Sequence, residues 1–190
     1  MSHEDYLTIA RSFVSVFTNT AVFFTGFDTI LIGFKGNANM DPSVLRRNYE
    51  YPPVRKSLQE IGFSSAEKIL AMFVADLGRD PNFTTSGPVN SDNFPIIEYS
   101  APKSVLFYAT DPNQAALLER FTPIPETWTD GMSVEGARQF LDEHEAMRLL
   151  LEASVMRARG NNDAAFRLLA DAHRISPDNP VVANEMIGML

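Results

Sequence analysis

The chain contains no cysteine. That removes disulfides, thiolate nucleophiles, zinc sites built on sulfur and thiol redox chemistry. It also lacks an apolar run of eighteen residues, the length a membrane-spanning helix needs. The opening Met1-Ser2-His3-Glu4-Asp5 has no basic region followed by an apolar one, so neither a standard export signal nor a spanning segment is expected. A membrane-bound parent protein remains compatible with that. Basic residues are scarce, 16 Lys and Arg against 24 Asp and Glu, for a net charge of −8. Binding to a phosphate backbone draws its affinity from Lys and Arg, so nucleic acid is not an expected partner. Glycines are not clustered: Gly33 and Gly36 follow a strand pattern without a third, and no nucleotide loop is expected. His3, His144 and His173 lie in separate helical patterns, and His144-Glu145 has Arg148, not histidine, where a zinc-protease helix needs its second ligand. Each is expected at a surface or between helices. Catalytic, cofactor-binding and metal-binding residues are accordingly assigned as none.

What the chain does have is 45% hydrophobic and 21% charged residues, a globular balance. Its patterns predict an α+β fold, mostly α-helical. Residues 2–17 read as a helix with Ser2 and Asp5 as its capping box and Tyr6, Ile9, Ala10, Phe13, Val16 and Phe17 on one face. Residues 20–25 and 29–34 are β-branched and aromatic, joined by Gly26-Phe27-Asp28 as a hairpin. Two strands are marginal alone, so the hairpin's edge is expected to be covered by a helix or paired with a second copy. Three scaffold helices follow: one capped by Asp41-Pro42, one opened by Pro52-Pro53 with Val54, Leu58 and Ile61 inward, and one capped by Ser64 with Ile69, Leu70, Met72, Phe73 and Leu77 buried. Arg46, Arg47, Arg55 and Lys56 read as a solvated basic face. Residues 79–94 form a long polar loop. Further helices are expected from Lys103 to about Ala109 and from Asn113 to Phe121, the second capped by Asp111-Pro112.

Pro123 and Pro125 mark a linker, and the domain boundary is set between residues 1–127 and 128–190. Beyond Ser133 the pattern is helical, with Val134, Phe140, Leu141, Met147, Leu150 and Leu151 along one apolar face. Gly160, Ala165, Ala172 and Pro177 are spaced five, seven and five apart, and Ala153 lies seven before the glycine. That spacing resembles one tetratricopeptide repeat, with Glu152 and Met156 departing from its usual residues; a plain helical hairpin is the alternative. Residues 178–190 supply a third, capping helix.

Residues 90–102 gather the densest polar cluster, with Asp92 and Glu98 six apart. Read as extended chain, that spacing puts them about 20 Å apart, too far to share a proton. Arg11-Ser12-Phe13 with Val16-Phe17, the strand Asp28-Thr29-Ile30-Leu31-Ile32-Gly33, and Ser91-Asp92-Asn93-Phe94-Pro95-Ile96-Ile97-Glu98-Tyr99-Ser100-Ala101-Pro102 together resemble the C-terminal part of spermidine synthase-like proteins. The likeness is to the long bacterial forms, often fused to a transporter-like membrane region and sometimes ending in tetratricopeptide repeats. It covers roughly residues 2–122.

The resemblance implies that residues 2–34 are the final helix and antiparallel hairpin of a methyltransferase-like Rossmann sheet. It also implies that Asp92, Pro95, Glu98 and Tyr99 border a pocket, and that the glycine-rich and catalytic parts belong to earlier strands. Aminopropyl transfer from decarboxylated S-adenosylmethionine to a polyamine is then the parent's reaction. The expected function is a non-catalytic C-terminal region with a helical interaction module; the alternative is a tetratricopeptide-like adaptor that binds a protein partner. Expected partners are the parent's own domain, a second copy in a homodimer, or another protein, in the cytoplasm or as the soluble part of a membrane-associated parent.

Overall fold

A computed structural model describes residues 1–36, 39–80, 86–104 and 110–188. It is mostly helical around a small antiparallel sheet. The first helix, α1 (His3–Val16), starts where the Ser2 hydroxyl accepts the Asp5 N–H at 3.1 Å, satisfying one of the helix's orphan donors. The strands β1 (Asn19–Phe24) and β2 (Thr29–Phe34) pair antiparallel, with Val22 opposite Leu31. Gly26 turns the chain at φ +95°, a conformation that favours glycine. The Phe17 ring lies across Gly33, where an added Cβ would come within 2.3 Å of it.

The sheet has a third strand that the sequence reading missed. Residues read as the end of a scaffold helix divide into a short α4 (Ala66–Leu70), capped by Ser65 and not Ser64, and β3 (Phe73–Asp76). β3 pairs antiparallel with β1, giving the order β2-β1-β3. The β1 edge of the hairpin is therefore filled by the chain itself, and β2 is an outer strand of the sheet. Phe73, Val74 and Ala75 are all buried, so no polar alternation marked the strand.

Two other helices precede β3, α2 (Pro42–Tyr49) and α3 (Pro52–Glu60). The Asp41 side chain caps α2 as expected. α3 buries no residue, and Val54 and Ile61, expected inward, are exposed. Of the basic face, Arg46 is not simply solvated: it pairs with Glu67 at 3.0 Å and donates to the Trp128 carbonyl at 2.7 Å.

Next come α5 (Ile96–Ser104), α6 (Thr110–Leu118), α7 (Val134–Ala158), α8 (Asn162–Ile175) and α9 (Pro180–Ile187). α6 begins before Asp111-Pro112, not after it, and most of the helix expected from Lys103 falls on residues 105–109, outside the described residues. Residues 81–85 of the long loop also lie outside them.

α7 and α8 form the expected helical hairpin. The chain turns at Gly160, whose φ is +78°, and Ala153, Ala165 and Ala172 are buried where small side chains let the two helices close on one another. Pro177 follows α8 and is exposed. The start of α7 departs from expectation, since Val134 and Leu141 are exposed.

A continuous apolar cluster runs from Ala10 through the sheet to Val182. Ile124 and Trp128, on either side of the 127/128 boundary, both belong to it, and the Trp128 ring lies 5.0 Å from that of Phe73. Lys68 of α4 fixes the helical layer to the rest. Its ammonium donates to Glu143 at 2.9 Å and to the Asp178 carbonyl at 2.6 Å, while Asn179 donates to the other Glu143 oxygen at 2.8 Å and caps α9.

Candidate functional site

α1 borders two of the hollows found among the described residues. On one side it holds the signature stretch. The backbone of Ser91 and Phe94 closes a tight turn through two reciprocal N–H to carbonyl bonds of 3.2 and 2.9 Å. The Asn90 side chain then accepts the Ile97 N–H at 2.9 Å at the start of α5. Residues 90–102 are thus a turn followed by a helix, not an extended segment. The 20 Å separation of an extended chain does not apply, and Pro102 lies inside α5.

Two bonds tie this stretch to α1. The Asn90 N–H donates to the Ser12 hydroxyl at 2.8 Å, and the Ser100 hydroxyl donates to Asp5, itself only 2% exposed. That contact accounts for the burial of the polar Asp5; Thr8 is buried as well, while Val16 and Ile9, expected inward, are exposed. Asp92, Glu98 and Tyr99 face solvent and Pro95 is half-buried. Pro95 and Tyr99 line a shallow hollow of about 490 Å³ over Asp5 and Ser100, and Asp92 and Glu98 do not.

On its other side α1 meets the hairpin and α6 around a deeper cavity of about 300 Å³. Its walls are Ile9 and Ala10 of α1, Phe24 and Leu31 of the strands, and Leu77 and Leu117. Inside it the Tyr6 and Thr29 hydroxyls bond to one another at 3.2 Å. Burial pushes the Tyr6 phenol pKa above its ordinary value, against the opposing effects of the Thr29 bond and the Arg120 charge. Tyr6 is therefore a neutral hydroxyl at neutral pH. Arg120 is committed elsewhere: it pairs with Asp80 at 3.0 Å and donates to the Ala116 carbonyl at 2.9 Å. Gln114 is buried in the wall, its amide oxygen unpartnered among the described residues. No local pattern marks this cavity, because its lining is drawn from residues 1 to 120 and meets only in the fold.

His144 is buried rather than superficial. Its two ring nitrogens lie 3.0 Å from the carbonyls of Ala71 and Thr122, and its ring stacks on Phe121 at 4.5 Å. Burial lowers its pKa, outweighing the two carbonyls and the Glu145 charge, which act to raise it. The neutral ring donates one N–H, so one carbonyl receives none from it. This is an interlayer support, not a site. Among the described residues no cluster of three His, Asp or Glu is placed to hold a metal ion, and no helix is long and apolar enough to cross a membrane. Comparison with protein-family models, curated proteins and solved structures gives no match.

Proposed function

We propose that this chain is the non-catalytic C-terminal region of a spermidine synthase-like protein, acting through binding rather than through chemistry of its own. The carrying observation is that the signature stretch, reached 78 positions from Ser12, docks on α1, the helix that holds the first piece and leads into the hairpin. Ser12, within the first piece, receives the Asn90 N–H at the start of the signature. Asp5 is held by Ser100 inside it, and the hairpin begins where α1 ends. Asp92 and Glu98, exposed on the turn and on α5, are then available to an adjoining domain or a second copy.

The adaptor alternative draws less support. It needs an unpartnered apolar groove on the terminal helices, yet Leu150, Leu151, Leu169, Ala172 and Val182 are buried in the chain's own core.

The test supplies decarboxylated S-adenosylmethionine and putrescine to the chain alone, and to the chain mixed with a spermidine synthase-like catalytic half lacking its C-terminal region. The expected result is no spermidine from the chain alone and association with restored turnover in the mixture, weakened by the double change Asp92→Asn and Glu98→Gln. Spermidine from the chain alone, or no association with the catalytic half, overturns the reading.

A further inference from the structure

We propose that the cavity between α1, the β1–β2 hairpin and α6 is a binding site for a small uncharged molecule with an apolar body and one hydrogen-bond acceptor. The volume, about 300 Å³, is at the lower end of the range of small-molecule sites, about 300–1,000 Å³. Ile9, Ala10, Phe24, Leu77 and Leu117 supply apolar walls, so most of an occupant's binding energy comes from apolar burial.

The preference for an acceptor follows from proton counting. The Tyr6 and Thr29 hydroxyls bear one proton each and are bonded to one another at 3.2 Å. One proton is used in that bond, whichever way it runs. The other is donated to no described residue, and a ligand oxygen satisfies it; the Gln114 amide oxygen in the same wall, also without a partner among the described residues, accepts from a ligand that can donate as well.

The preference for a neutral ligand follows from the charges. Arg120 is paired with Asp80, so an incoming anion would compete with a partner 3.0 Å away. Asp28, at the mouth, is exposed and screened by water. A charged head inside would lose its hydration without a dedicated counterion. Ketones, amides, ethers and alcohols of about the size of a substituted benzene fit these conditions.

Calorimetric titration of the whole chain with acetophenone, ethylbenzene, benzoate and benzylammonium tests the proposal. These share a ring and differ in head group. Acetophenone is expected to bind about five- to tenfold more tightly than ethylbenzene, the worth of one net hydrogen bond, and both charged compounds more weakly than either. In Tyr6→Phe/Thr29→Val, with its fold checked by circular dichroism, the acetophenone preference is expected to vanish while ethylbenzene binding is retained. Ala10→Leu, which fills the space, is expected to weaken both neutral ligands at least about tenfold.

Equal affinity of the unaltered chain for acetophenone and ethylbenzene, absence of binding by both, or tighter binding of a charged compound overturns the proposal without recourse to any variant. Retention of the preference in the double variant overturns the assignment to the two hydroxyls.

Discussion

The two sides of the molecule are packed by different means. Between α7 and α8 the facing positions are Ala153, Ala165 and Ala172, all within 1% of complete burial, with Leu150, Leu151 and Leu169 filling the space around them. Along α1 the contacts are polar on one side, through Asp5 and Ser12, and leave a cavity of about 300 Å³ on the other. Close packing costs nothing further once achieved, whereas a cavity forgoes dispersion contacts on every wall. The terminal helices therefore serve as foundation, and α1 is where the chain has kept room for something else.

The largest blow to the foundation is expected from Lys68→Met. It leaves the Glu143 carboxylate, 13% exposed, without its cation, and removal of one member of a buried pair costs about 3–5 kcal/mol. Urea unfolding monitored by circular dichroism measures it, and the double change Lys68→Met/Glu143→Leu is expected to recover only part of the loss, because Asn179, 1% exposed, then loses the carboxylate it donates to.

A matched pair of enlargements probes the comparison itself. Ala172→Leu inserts three carbons into the closed α7–α8 seam and is expected to cost about 1–3 kcal/mol. Ala10→Leu places the same atoms at the cavity and is expected to cost under about 1 kcal/mol or to stabilise. Equal losses in thermal melts would erase the distinction.

Between the two sides sits His144, and its titration gives a third measurement. Its folded pKa is lowered by burial, so the unfolded chain takes up the proton first, near pH 6.5. The stability this group contributes is fully present above pH 6.5 and declines as the pH falls below it, with a slope of at most about 1.4 kcal/mol per pH unit. His144→Gln is expected to lack that component in pH-dependent urea unfolding. A local effect of about 1 kcal/mol is expected from Ser12→Ala, which removes the acceptor of the Asn90 N–H. Faster amide exchange of Asn90, with the α7–α8 amides unchanged, would mark the loss as local to α1.

The foundation was legible in sequence because it obeys local rules. The spacing of Gly160, Ala165 and Ala172 announces a helical hairpin, and Gly26 between two β-branched runs announces a turn. The features around α1 were not legible, because they depend on what the chain meets later. β3 has no alternation, since Phe73, Val74 and Ala75 are all buried, so its apolar run suited a helix equally well. α5 was masked by Pro95 and Pro102, of which the first precedes the helix and the second is accommodated within it. On α1 hydrophobic spacing points to Val16 as inward, whereas the residue covered by the docked stretch is the polar Asp5, held by Ser100. The cavity is the extreme case: Tyr6 and Thr29 are 23 positions apart, and the opposite wall lies beyond residue 112.

The ring of Phe17 over Gly33 has a consequence for how the sheet assembles. Strand pairing can slip, and a shift by one residue exchanges the two faces of a strand. Here any slip of β2 along β1 would bring Ile32, Phe34 or another side chain beneath a ring that leaves no space for even a Cβ. The glycine thus works as a key that fits one notch: while Phe17 holds its position at the end of α1, Asn19 can face only Phe34. The hairpin's alignment is fixed by its own flanking helix before β3, arriving some forty residues later, needs a partner in register.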